Sequence, residues 1–188
     1  MATDRTYRSF ILRSTFRAVV YFGVIVGLFF LYQNLMPDDW KQLLAPVTDN
    51  AQLVFLIYTL SETFFGIIPP EFFVIWALGS TLPVFAVIVT ALALLSFAGA
   101  LINFYVGTKL HSGRLYRWLI SGRLGKYVDY YHRFGGIIIL ISALTPLPFA
   151  AISLISATLG FPFRSYLVYA SARFLRFLFY GLFFWEVQ

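Results

Sequence analysis

The sequence predicts an all-α integral membrane protein, with about three full transmembrane helices, two oppositely oriented re-entrant helical hairpins and one interfacial amphipathic helix. Three observations carry that expectation. Of the 188 residues, 60% are hydrophobic and only 12% charged, against roughly 25% charged in a soluble domain. Long charge-free runs alternate with clusters of Arg and Lys. Two of those runs are interrupted by closely spaced prolines, Pro69-Pro70 and Pro146-Leu147-Pro148, which remove backbone donors and stop a continuing helix.

Four or five membrane segments with their connections use the whole length, so residues 1–188 read as a single membrane domain. Residues 1–49 supply an N-terminal interfacial stretch, a first span and an outer loop, and the core follows from about residue 50 to 180. The absence of cysteine removes disulfides, thiolate metal sites and cysteine nucleophiles. His111 and His132 fall in a basic connecting region, so neither a metal site nor a cofactor is expected. No nucleophile-base-acid constellation and no phosphate-cradling glycine loop is present, which argues against an enzyme, and no nucleic-acid partner is expected.

Taken in order, the chain opens on Arg5, Arg8, Arg13 and Arg17, interleaved with Tyr7, Phe10, Ile11 and Phe16, a pattern suited to an anionic membrane face. Residues 18–36 carry no charge and are long enough to cross a core of roughly 30 Å at about 1.5 Å per residue. Asp38, Asp39 and Asp49 against a lone Lys41 follow, so the positive-inside rule places the N-terminus in the cytoplasm. No small-residue cleavage pattern follows the first apolar run, which reads as an uncleaved span, and Trp40 is an interfacial anchor.

Residues 51–68 are apolar except for Glu62, the chain breaks at Pro69-Pro70, and Glu71 opens a second apolar arm to residue 82. Each arm is short for a crossing, so the pair reads as a re-entrant hairpin entering from the outer face. A carboxylate at bilayer depth costs about 2.5–3.5 kcal/mol on insertion scales, so two of them need a reason. Residues 84–110 form a full span on which Gly99, Asn103 and Gly107 recur every four residues, giving one small, polar-capable face for close packing. Residues 113–133 are the most basic stretch and read as a cytoplasmic interfacial helix broken near Gly122 and Gly125.

The first pattern then returns. Residues 136–144 approach, Thr145-Pro146-Leu147-Pro148 breaks, and residues 149–159 return; STLP at 80–83 and ATLGFP at 157–162 echo one another after each proline pair. Paired interrupted segments point to a transporter's midplane site. The last span runs from Arg164 to about Glu186, and Arg173 lies nine residues in, about 14 Å along the axis and close to mid-bilayer. Tyr169, Arg173, Arg176 and Tyr180 share one helical face.

The order of ETFFGIIPPE, GALINFYVGTKLHSGRL, FGGIIILISALTPLPF, ATLGFPF and SARFLRF resembles the DedA superfamily, also called VTT or SNARE-associated membrane proteins, over roughly residues 50–180. The nearest resemblance is to its short bacterial YqaA-like branch, with a TP-x-P break and a late arginine-phenylalanine pattern. The resemblance implies a bacterial inner membrane protein with two opposed re-entrant hairpins that moves lipids between leaflets, often with dependence on the proton motive force. It implies undecaprenyl phosphate or a glycerophospholipid as cargo, and it maps the family's acidic pair onto Glu62 and Glu71. Longer members carry arginines beside the second proline motif, where this sequence has Ala143 and Phe149; Arg173 and Arg176 offer the replacement positive charge.

The candidate roles follow. Arg173, Arg176, Asn103 and Tyr169 form the substrate-binding set, since guanidinium groups grip phosphate bidentately. Glu62 and Glu71 are the proton-coupling carboxylates, and Pro69, Pro70, Pro146 and Pro148 mark the re-entrant tips. The expected partners are membrane lipids with a phosphate-bearing headgroup, protons and a second copy of the chain. Besides a lipid flippase or scramblase, the same charges fit a proton-coupled ion antiporter or an assembly protein in which they are purely structural.

Overall fold

The computed structural model describes residues 46–64, 68–111, 113, 125–145 and 147–187, together with Val20, Val24 and Gly27; for residues 125–130, 132 and 133 it describes the backbone alone. The N-terminal basic stretch, most of the first span at 18–36, Trp40, residues 114–124 of the expected interfacial helix and Pro146 lie outside the described residues.

The described elements are all helical. Helix α1 covers Ala51–Thr63, and the Asn50 side chain starts it by accepting from the amides of Gln52 at 3.1 Å and Leu53 at 3.3 Å. Pro69 then caps α2, Pro70–Ala77, which begins on proline, the residue whose missing N–H costs nothing in a first turn. Helix α3, Leu82–Leu110, likewise starts with Pro83 in its first turn. Helix α4 is Gly125–Leu144, α5 is Phe149–Thr158, α6 is Phe163–Ala170 and α7 is Ala172–Val187.

Among the described residues, two segments are long and apolar enough to cross a membrane, α3 and the joined α6–α7 stretch Phe163–Val187. Their outward faces carry Val87, Leu94 and Ile102 on α3 and Val168, Leu175, Leu178 and Leu182 on α6 and α7, all exposed. That much contiguous apolar surface suits lipid and not water. The expected last span is one stretch that divides into α6 and α7 at Ser171, where the backbone stays in the right-handed helical region and the amide of Ser171 bonds back to Leu167. A second difference concerns the basic region: from Gly125 the helix runs without interruption into the apolar arm, because no proline intervenes before Pro146.

Helix α3 is the spine. Helix α7 packs antiparallel along it, with Trp185 against Phe85, Gly181 against Val89 and Phe174 against Phe97. Helix α1 lies on its first half, where the Tyr58 hydroxyl donates to the Leu92 carbonyl at 2.9 Å. Helix α5 lies on its second half, where Gly107 meets Leu154 and Ala157 so closely that a Cβ would fall 2.3 Å from the Leu154 carbonyl oxygen. The His111 ring sits 2.7 Å (Nδ1) from the Thr158 carbonyl and ties the two helix ends together. Gly160, at φ +78, lets the chain turn there at no steric cost.

The two helix–break–helix units each return to where they began. Trp76 Nε1, near the end of α2, donates to the Thr48 carbonyl ahead of α1 at 2.7 Å. Tyr131 on α4 donates to Ser156 near the end of α5. The first unit therefore lies along one half of α3 and the second along the other, with the breaks between them.

Candidate functional site

Four buried ionisable side chains meet where the breaks face each other. Glu62 sits on the last turn of α1, Glu71 on the first turn of α2, and Arg173 and Arg176 on the first turns of α7. Their exposures of 7%, 0%, 2% and 4% leave none in contact with bulk solvent. Charges so buried must be paired and hydrogen-bonded. They are: Arg173 Nη2 pairs with Glu62 Oε2, and Arg176 Nη2 pairs with Glu71 Oε1 at 2.7 Å.

The two pairs have different surroundings. Arg176 is held at every nitrogen, since Nη1 donates to the Thr145 carbonyl at 2.9 Å and Nε to the Tyr180 hydroxyl at 3.1 Å. Glu71 stands at the N-terminal end of α2, where the helix dipole favours a carboxylate, and Thr145 follows the C-terminal end of α4, where it favours a cation. Glu62 has the opposite setting, a carboxylate at a helix C-terminus. Its Oε2 accepts from Ser96 at 2.6 Å as well as from Arg173. The Arg173 guanidinium lies 4.5 Å from the centre of the Phe149 ring, a cation–π contact, and its Nε is buried without a hydrogen-bond partner, as is Glu71 Oε2.

A cavity of about 130 Å³ opens between the pairs, lined by Glu62, Arg173 and Arg176 and by both breaks through Pro69, Pro70, Leu147 and Pro148, with Phe149 and Ala150 beside them. The model of the VTT domain family matches residues 68–186, well over half of the chain. The chain belongs to the VTT-domain family, the DedA family. No curated protein and no solved structure matches it.

The VTT domain match includes Glu71, Arg173, Arg176 and both breaks, whereas α1 with Glu62 precedes it. The expected arginines meet both expected carboxylates, Glu71 inside the matched region and Glu62 ahead of it, and Pro69, Pro70 and Pro148 line the cavity; Pro146 lies outside the described residues. Asn103 and Tyr169 are elsewhere. The Asn103 amide donates to the carbonyls of Thr63 at 3.1 Å and Gly99 at 2.9 Å, holding the end of α1 to α3. Tyr169 packs against Gly136 and Phe161. Three groups joined to the site were not singled out as site residues by sequence: Ser96, the Thr145 carbonyl and Tyr180. A lone hydroxyl in a run as apolar as 91–98 is the signal that could have identified Ser96.

Proposed function

We propose that this protein carries a phosphate-bearing lipid, undecaprenyl phosphate or a glycerophospholipid, between the leaflets of a bacterial inner membrane. The observation that supports this reading most strongly is the cavity between the two breaks, lined by Arg173, Arg176 and Glu62, with Glu71 buried against Arg176 so that the four formal charges cancel. A charge-neutral empty site is compatible with bilayer depth, and an arriving anion has guanidinium groups to meet it.

In this reading the two helix–break–helix units are re-entrant hairpins that enter from opposite faces. Residues 18–36, α3 and the α6–α7 stretch are the three full spans, the N-terminus is cytoplasmic, and the nearest branch is the short YqaA-like one. The returning contacts Trp76 to Thr48 and Tyr131 to Ser156 support the hairpins, and freed backbone at membrane depth needs a protein-lined cavity of this kind. The headgroup crosses through the cavity while the acyl or prenyl chains stay in lipid. Protonation of Glu62 or Glu71 releases an arginine to the phosphate, which couples carriage to the proton gradient.

The test is leaflet exchange of a fluorescent phospholipid in liposomes holding the purified protein. Arg173→Ala and Arg176→Ala should each abolish exchange in protein that still inserts. Full exchange in both variants would reject the phosphate site. Absent lipid exchange with intact proton-driven cation movement would favour the antiporter instead.

A further inference from the structure

The four charged residues do not present equal opportunities to an anion. Arg176 donates from all three nitrogens, to Thr145, Glu71 and Tyr180, and so joins the end of α4 to the start of α2. Taking it for a ligand would break three hydrogen bonds, two of them buried and the third partly buried. Among the described residues Arg173 hydrogen-bonds only through Nη2, to Glu62, and its buried Nε has no hydrogen-bond partner; the residue is 2% exposed. The unused Nε and the adjoining Nη2 form one side of the guanidinium fork, the geometry that grips an oxyanion with two parallel hydrogen bonds.

A second set of donors lies against the same arginine. Helix α5 starts at Phe149 with Pro148 as its N-cap, and no side chain accepts from its first amides. Pro148, Phe149 and Ala150 line the cavity, and the Phe149 ring is the one over which the Arg173 guanidinium sits. An uncapped helix N-terminus with its dipole is an oxyanion site in its own right, and here it stands next to a buried arginine with a free donor.

We infer that the two arginines divide the work: a tetrahedral phosphate oxyanion is held at one end of the cavity by Arg173 and the N-terminus of α5, while Arg176 with Glu71, Thr145 and Tyr180 is a latch between the two breaks. Glu62 then occupies Arg173 in the empty site as an internal stand-in for the anion. This rests on the proposed lipid carriage only for the source of the phosphate, which is a lipid headgroup or the free ion.

The experiment is thermal melting of the purified full chain in dodecyl maltoside micelles, titrated separately with inorganic phosphate and with phosphatidic acid. Binding to the native state raises the melting temperature in proportion to affinity. Arg173→Lys keeps the charge but loses the fork, and should weaken binding by about tenfold or more while the empty protein melts close to the parent. Pro148→Asp supplies an N-cap carboxylate, and should hold or raise the melting temperature of the empty protein while removing the response to phosphate. Tyr180→Phe should lower the melting temperature of the empty protein and leave the affinity within about twofold.

The division is overturned if Arg173→Lys and Pro148→Asp bind like the parent, or if Tyr180→Phe weakens binding as much as Arg173→Lys. A parent protein that responds to neither ligand overturns the site altogether. A response to phosphatidic acid supports the site with a lipid headgroup as its source. A response to inorganic phosphate alone, weakened by the same two variants, supports the site and removes lipid carriage.

Discussion

Glu62 and Glu71 are the same residue type and both are buried, yet the helix ends they occupy set them apart. Glu71 complements the N-terminal dipole of α2 and anchors a fully hydrogen-bonded Arg176, while Glu62 sits at the unfavourable end of α1 and borders the cavity. Glu71→Gln should therefore destabilise strongly, by about 3–5 kcal/mol, because it leaves a buried guanidinium uncompensated. Glu62→Gln should cost markedly less, since Ser96 still has an oxygen to donate to and the cavity lies beside Arg173. Melting of both variants in micelles checks the ranking. In liposomes, Glu62→Gln should keep some lipid exchange but lose its response to the proton gradient, because an amide mimics a carboxylate fixed in its protonated form; an unchanged gradient response would move the coupling to Glu71. The pairing itself was half legible in sequence. Four deep charges of cancelling sign could be counted, but which arginine meets which carboxylate depends on how α1 and α2 pack against α7, and that packing is not written in SARFLRF.

At the scale of elements, the breaks were the easiest features to read, because proline acts locally: Pro69-Pro70, Pro83 and Pro148 each stand at a helix start. Helix partners were not legible, since an apolar run looks the same whatever it packs against. The Gly99, Asn103, Gly107 face shows the limit. Its spacing announced close packing, but only the structure separates a glycine that faces α1 at ordinary distance from one pressed on α5. The difference gives a prediction. A Cβ at Gly99 would have its nearest neighbour at 3.5 Å, whereas one at Gly107 would lie 2.3 Å from a backbone oxygen and 2.8 Å from the Ala157 Cβ. Gly107→Ala must push α5 away from α3 and should cost at least about 1–3 kcal/mol, with loss of lipid exchange as the N-terminus of α5 shifts. Gly99→Ala should be nearly silent in both assays; equal losses would mean that α3 and α5 separate easily.

For the whole molecule, the open question is which way it faces, and the charges beyond the helix ends decide it. Asp49 lies on the exposed turn ahead of α1, on the side to which α2 returns through Trp76. Lys109 lies exposed in the last turn of α3, at the other end of the spine, where His111 meets the end of α5 and the basic residues of 114–133 follow in sequence. Positive charge is retained on the cytoplasmic side, so the Asp49 end should face outward and the Lys109 end inward. The chain has no cysteine, so single cysteines can be introduced without background. In intact cells whose outer membrane has been made permeable, an impermeant maleimide should modify Asp49→Cys at once. It should modify Lys109→Cys only after the inner membrane is opened. The reverse pattern would invert the protein, whereas labelling of both positions in sealed cells would mean that the chain inserts in two orientations.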